Sequence, residues 1–115
     1  MFMEISVLGK YKTLLVKLDG DIDHHSVKKI RDAADRELEK TGIVNIAFDF
    51  GQVDFMDSSG VGLVIGRYKK VIGLGGNVIV FGASDEIRKI FDMSGLGGKI
   101  IITENLQNGL KEAGV

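Results

Sequence analysis

The sequence predicts an α/β fold: a mixed, mostly parallel sheet of four to five strands, an opening hairpin and about four helices. Three observations lead there. Strand-like apolar runs alternate along the chain with stretches whose apolar residues recur at three- and four-residue steps. From the second strand onward each strand reaches the next through a helix, which dictates parallel strands with right-handed crossovers. The first two strand-like runs, in contrast, are separated only by Gly9-Lys10-Tyr11-Lys12, the spacing of a hairpin.

The elements follow in order. Residues 3–8 and 13–18 read as the hairpin strands. In the second, Leu14, Val16 and Leu18 alternate with Thr13, Leu15 and Lys17, giving one apolar face. Residues 19–23 read as a polar turn. Val27, Ile30, Ala34 and Leu38 then share one side of a helix, with Lys28, Arg31 and Asp35 on the other and Gly42 closing it. Residues 43–50 form the third strand, with Val44, Ile46, Phe48 and Phe50 on one face, and residues 51–58 a loop. The second helix spans 59–73, with Val61, Val64, Ile65, Tyr68 and Ile72 as its core stripe. Residues 78–81 are apolar on both faces, as in a central strand. Ser84 opens a short helix that turns Ile87, Ile90 and Phe91 inward. A short edge strand at 100–102 and a helix at 106–113 complete the order.

Composition narrows the function. The 115 residues contain no obvious linker, so a single domain over 1–115 is expected, long enough to bury roughly two thirds of its unfolded surface. Fifteen basic against sixteen acidic residues argue against a nucleic-acid-binding surface. Without Cys there are neither disulfides nor thiolate metal sites. No apolar run reaches membrane-spanning length, and Met1-Phe2-Met3-Glu4 does not open a signal peptide. A soluble cytoplasmic protein with no membrane partner is expected. With sixteen Gly and no Pro, helix stops and tight turns fall to Gly.

The chemistry concentrates at Phe55-Met56-Asp57-Ser58-Ser59-Gly60, where a strand hands over to a helix. A serine there sits beside unpaired backbone N–H groups and a partial positive charge. It can cap the helix, act as a nucleophile or carry a phosphate. Parallel strands place the loops 19–25, 51–58 and 82–84 along one sheet edge, which brings Asp21 and Asp23 toward Asp57 and Ser58. These three aspartates could hold Mg²⁺, but the opening hairpin breaks the alternation of a phosphoaspartate receiver. Turn and cap roles are expected for them, with no metal and no cofactor. His24 and His25 point about 100° apart on a helix, so they do not serve one ion. Gly60-Val61-Gly62-Leu63-Val64-Ile65-Gly66 lacks the strand directly before it and the later acid of a dinucleotide fingerprint. No Lys-Ser/Thr pair follows Gly73-Leu74-Gly75-Gly76, and no G-x-S-x-G elbow surrounds Ser58. The second helix also carries glycines in its interior. Gly62, Gly66 and Leu63 lie opposite its core stripe, and Gly in a helix interior costs about 0.8–1 kcal/mol against Ala. Either tight packing within the domain or close approach by a partner accounts for them.

Phe55-Met56-Asp57-Ser58-Ser59-Gly60, followed by Gly66-Arg67-Tyr68-Lys69, resembles the STAS domain of bacterial anti-anti-sigma factors. Asp23-His24-His25 and Phe91-Asp92-Met93-Ser94-Gly95-Leu96 are similar to the sporulation members of that family, and Gly97-Gly98 departs from them. The resemblance covers the chain from the first hairpin to about Ile102. It implies that Ser58 accepts phosphate from an anti-sigma factor that is a serine kinase using ATP. The unphosphorylated form would bind that kinase and release the sigma factor, and a phosphatase would restore it. The protein would then be a regulator and not an enzyme, monomeric when free. Its partner surface is expected to comprise Asp23, His24, Asp57, Ser59, Gly62, Leu63 and Gly66 around Ser58. Two other classes stay open: a STAS scaffold or sensor outside a sigma-factor circuit, and a small enzyme with Ser58 as nucleophile.

Overall fold

Residues 2–40 and 42–115 are described by a computed structural model, and their five strands make one sheet. β1 (Phe2–Leu8) and β2 (Thr13–Ile22) pair antiparallel, from Phe2 opposite Asp19 to Leu8 opposite Thr13. A single 3-10 turn, Gly9–Tyr11, joins them. β3 (Asn45–Met56), β4 (Val78–Phe81) and β5 (Ile101–Thr103) follow, each parallel to the strand before it. Strand order equals chain order, so the sheet grows in one direction only. Crossovers of one hand then put all their helices on one face. Accordingly α1 (Val27–Leu38), α2 (Ser58–Gly73) and α3 (Asp85–Met93) share a core with the sheet. α4 (Leu106–Glu112) covers the other face against Ala47 and Ile79. The Gly97-Gly98 segment is taken up by one 3-10 turn, Leu96–Gly98. Asn105 caps α4, its Oδ1 accepting the Asn108 N–H at 2.9 Å. Docking of α4 depends on Gly109, where a Cβ would collide with Ile79.

The main core joins Leu14, Val16 and Leu18 of β2 and Ile46, Phe48 and Phe50 of β3 to Ile30 and Ala34 of α1 and Ile87 and Phe91 of α3. Phe50 meets Phe48 and Phe91 edge-on, at 6.3 and 5.7 Å between ring centres. This is the arrangement that aromatic quadrupoles favour.

The structure corrects the sequence reading in two places that bear on the site. First, residues 19–22 and 51–56 are not loops. β2 and β3 continue as a two-stranded ribbon past the end of β4, pairing Gly20 with Val53 and Ile22 with Met56. Ile22, Val53 and Met56 are buried, but the register shifts between Lys17 and Asp19 and again between Gly20 and Asp21. Those irregularities break the period-two alternation by which a strand is recognised. β4 ends with Phe81 opposite Asp49, and β3 runs on to Met56, about 23 Å further at 3.3 Å per residue. The 82–84 turn is therefore not a neighbour of Ser58. Second, the inward side of α2 comprises Gly60, Leu63, Val64, Arg67 and Val71. Leu63 packs in the core at 4% exposure, not on the outward face, and Ile72, expected inside, is 51% exposed. Val61, Ile65 and Tyr68 flank the core, half-buried.

Candidate functional site

The ribbon formed by β2 and β3 sets the site. Ile22 and Met56 are paired at its tip, and the Asp57 N–H donates to the Ile22 carbonyl at 3.1 Å. The turn after β2 and the start of α2 are thereby held side by side, so Asp23 and Asp57 occupy one corner of the sheet.

Asp57 is the cap of α2. Its backbone is extended, at φ −95° and ψ −174°, and its Oδ1 accepts the Ser59 N–H at 2.8 Å. Ser58 is thus the first residue of a helix of 16 residues, is exposed, and has no capping duty. Ser59 is half-buried. Gly60 explains why the helix starts so close to the strands. A Cβ there would collide with the Met56 side chain and stand 3.4 Å from Ile22 Cγ2. The glycine lets the first turn rest on the ribbon tip, which fixes where the Ser58 hydroxyl stands.

Asp23 does for the turn before α1 what Asp57 does for α2. Its Oδ1 accepts the N–H groups of His25 and Ser26, at 2.9 and 3.0 Å, while Ser26 Oγ accepts the Asp23 N–H at 2.9 Å. The Ser26 N–H, above all, holds the Asp23 carboxyl below its ordinary value, with His25 contributing. His24 and His25 are exposed, their rings 5.5 Å apart and edge-on. Among the described residues no three His, Cys, Asp or Glu side chains converge as a metal site would require.

Asp23→Ala should lower the melting temperature by roughly 5 °C through loss of the cap. The cap works as a carboxylate, whose pKa is lower in the folded chain. Its contribution is complete above the unfolded value near pH 4 and disappears as pH falls through the folded value. Thermal melts of both proteins should therefore converge in acid; a difference that persists unchanged at pH 2 would show that Asp23 acts otherwise.

The outward surface of α2 carries Gly62 and Gly66, at neither of which would a Cβ meet an atom of the described residues within 4 Å, the adjacent backbone of α2 itself apart. Packing inside the domain does not require these glycines. Beside Gly62 a groove of about 210 Å³ opens between α1 and α2, lined by Val27, Arg31, Ser59, Gly62, Leu63 and Arg67. Arg67 is the residue that sequence periodicity missed. It sits on the inward side of α2, its side chain 6% exposed, with Nε 3.0 Å from Asp35 Oδ1 on α1. Burial pushes its guanidinium below the ordinary value, opposed by Asp35. Phe55 is 54% exposed and stands opposite Asp21 on the ribbon.

Of the residues expected around Ser58, the structure gathers Asp23, His24, Asp57 and Ser59 at the ribbon tip and carries Gly62 and Gly66 along α2. Leu63 is turned inward and reaches the surface only as a wall of the groove.

The model of the STAS domain family matches residues 4–113. The anti-sigma F factor antagonist of Paenibacillus polymyxa is 32% identical over 112 residues, 97% of this chain and 96% of that protein. The anti-sigma factor antagonist SpoIIAA in its unphosphorylated form superposes with a TM-score of 0.84 at 30% identity, over 99% of this chain and 98% of that one. The Bacillus cell fate determinant SpoIIAA in the phosphorylated form gives a TM-score of 0.76, also at 30% identity, over 96% and 98%.

Proposed function

The chain belongs to the STAS domain family, and from that premise we propose that it is an anti-sigma factor antagonist of one domain, switched by phosphate on Ser58. Relatives that carry this name cover nearly the whole chain, and a structural neighbour exists in a phosphorylated form. The observation that carries the Ser58 assignment is the division of labour at α2: Asp57 caps the helix, and the exposed Ser58 hydroxyl is left available.

The unphosphorylated protein binds an anti-sigma factor that is also a serine kinase, and the sporulation sigma factor held by it is released. In the transfer, Ser58 Oγ bonds to the γ-phosphorus of ATP, the bond to the β-phosphate oxygen breaks, ADP leaves, and the hydroxyl proton passes to a base or to water. A phosphatase reverses the modification. The helix N-terminus accommodates the new charge of about −1.5 to −2, so the fold survives. The partner, however, meets a solvated dianion beside Asp57 and Asp23. A loss of about 1–3 kcal/mol, five- to 150-fold in affinity, suffices for a switch. The same setting makes the protein a substrate of a kinase and a phosphatase, without chemistry of its own.

The test is incubation with ATP and the cognate anti-sigma factor, followed by intact-mass measurement and phosphosite mapping. One phosphate per chain, on Ser58, is expected, and Ser58→Ala should take none while still binding. Phosphate incorporated into Ser58→Ala at the wild-type rate would defeat the assignment. Partner binding without any phosphate uptake would favour a scaffold or sensor.

A further inference from the structure

The groove between α1 and α2 contains an unmet electrostatic demand. Arg67 is more than nine-tenths buried, and neither its Nε nor its Nη1, nor Oδ1 of the adjacent Asp35, has a hydrogen-bond partner among the described residues. A buried guanidinium is usually matched by acceptors around its fork. Asp35 balances its charge only as an ion pair, Oδ1 standing 3.0 Å from Nε without hydrogen-bond alignment, and its other oxygen lies 3.7 Å from Lys70. Arg31 stands at the groove's wall, close enough to raise the positive potential at Arg67. Three cations, Arg31, Arg67 and Lys70, thus face two carboxylates, Asp32 and Asp35. The remaining lining has the character of a receptor for a short acid: Val27 and Leu63 offer apolar walls, Ser59 a hydroxyl donor, and Gly62 an open mouth.

We infer that this groove receives one acidic side chain of the anti-sigma partner, whose carboxylate pairs with Arg67 and Arg31 while its methylenes lie between Val27 and Leu63. The inference rests on the antagonist reading above and adds a specific anchor to it. A volume of about 210 Å³ suits a single side chain and is below the roughly 300–1,000 Å³ of small-molecule sites. The charge complementarity selects an acid, and the position beside Ser59 and Gly62 makes the groove continuous with the corner that presents Ser58. Docking at Ser58 and anchoring at Arg67 would therefore occur in one event.

The experiment measures binding of the unphosphorylated full chain to the anti-sigma factor by calorimetry for wild type, Arg31→Glu and Lys111→Glu. Arg31 is an exposed residue of α1, so the fold tolerates its reversal, and circular dichroism checks this. Lys111, on α4 across the sheet, makes the same change of charge away from the groove. Arg31→Glu should weaken binding about tenfold or more, and Lys111→Glu by no more than about twofold. Reversing one acidic residue of the partner to Lys should restore binding to Arg31→Glu. Equal affinities for wild type and Arg31→Glu would overturn the anchor while leaving the antagonist reading intact. So would equal losses in both variants, or rescue by no partner residue. Saturable binding of free glutamate by the chain alone, at micromolar concentration, would make the groove a small-molecule site and overturn the anchor too. A wild-type chain that binds no anti-sigma factor would remove the parent reading and the anchor with it.

Discussion

Ser58→Asp should weaken binding to the anti-sigma partner about fivefold or more, and enzymatic phosphorylation of Ser58 should weaken it further, up to about 150-fold. The two changes place charge at one point of the structure. Ser58 is the exposed first residue of α2, where the helix dipole accepts an anion and where Asp57 already holds the cap. The fold has no reason to respond, so circular dichroism and melting temperature should stay close to wild type. The partner does have a reason. It loses a neutral hydroxyl and meets a charge that it would have to desolvate next to Asp57 and Asp23. A single carboxylate carries less charge than a phosphate and reaches less far, which sets the order of the two effects. Calorimetric titration of the three forms checks that order. Wild-type affinity for the phosphorylated form would show that the switch does not operate through binding.

Gly62→Leu should separate binding from stability. Apart from the neighbouring backbone of α2 itself, no atom of the described residues lies within 4 Å of a Cβ at this position, so the side chain enters open space. Replacing Gly in a helix interior favours the helix by somewhat less than 1 kcal/mol, and the melting temperature should rise by a few degrees. The same side chain stands over the mouth of the groove and on the surface proposed to receive the partner. Overpacking of a close contact costs about 1–3 kcal/mol, so affinity should fall roughly five- to 150-fold. A more stable protein that binds poorly is the expected outcome. Unchanged affinity would place the partner elsewhere, and a fall in melting temperature would mean that Gly62 is packed inside the domain.

Much of this was legible in the sequence because the signals are local. The element order follows from apolar spacing, the hairpin from its four-residue link, and the serine at the start of α2 from a strand meeting a helix at Asp57-Ser58. The pairing of Asp23 with the Ser58 corner followed from parallel strands alone, since β2 and β3 are neighbours. Local spacing could not choose between Asp57 and the serines as the cap; that depended on an extended backbone at Asp57, which directs its carboxylate at the Ser59 N–H.

Three features were decided only by tertiary structure. The ribbon that carries the site is held by cross-strand pairing, and its bulges erase the alternation that would announce a strand. The 82–84 turn falls short of the site because β4 is short, and strand length depends on which neighbour continues to pair. The inward side of α2 includes Arg67, which an apolar stripe cannot announce. Its buried charge is met only in part, by an ion pair with Asp35, a carboxylate on a different helix. A sequence determines hydrophobic period and turn chemistry residue by residue. The pairing of a buried charge, and the groove left beside it, exist only once α1 and α2 are packed together.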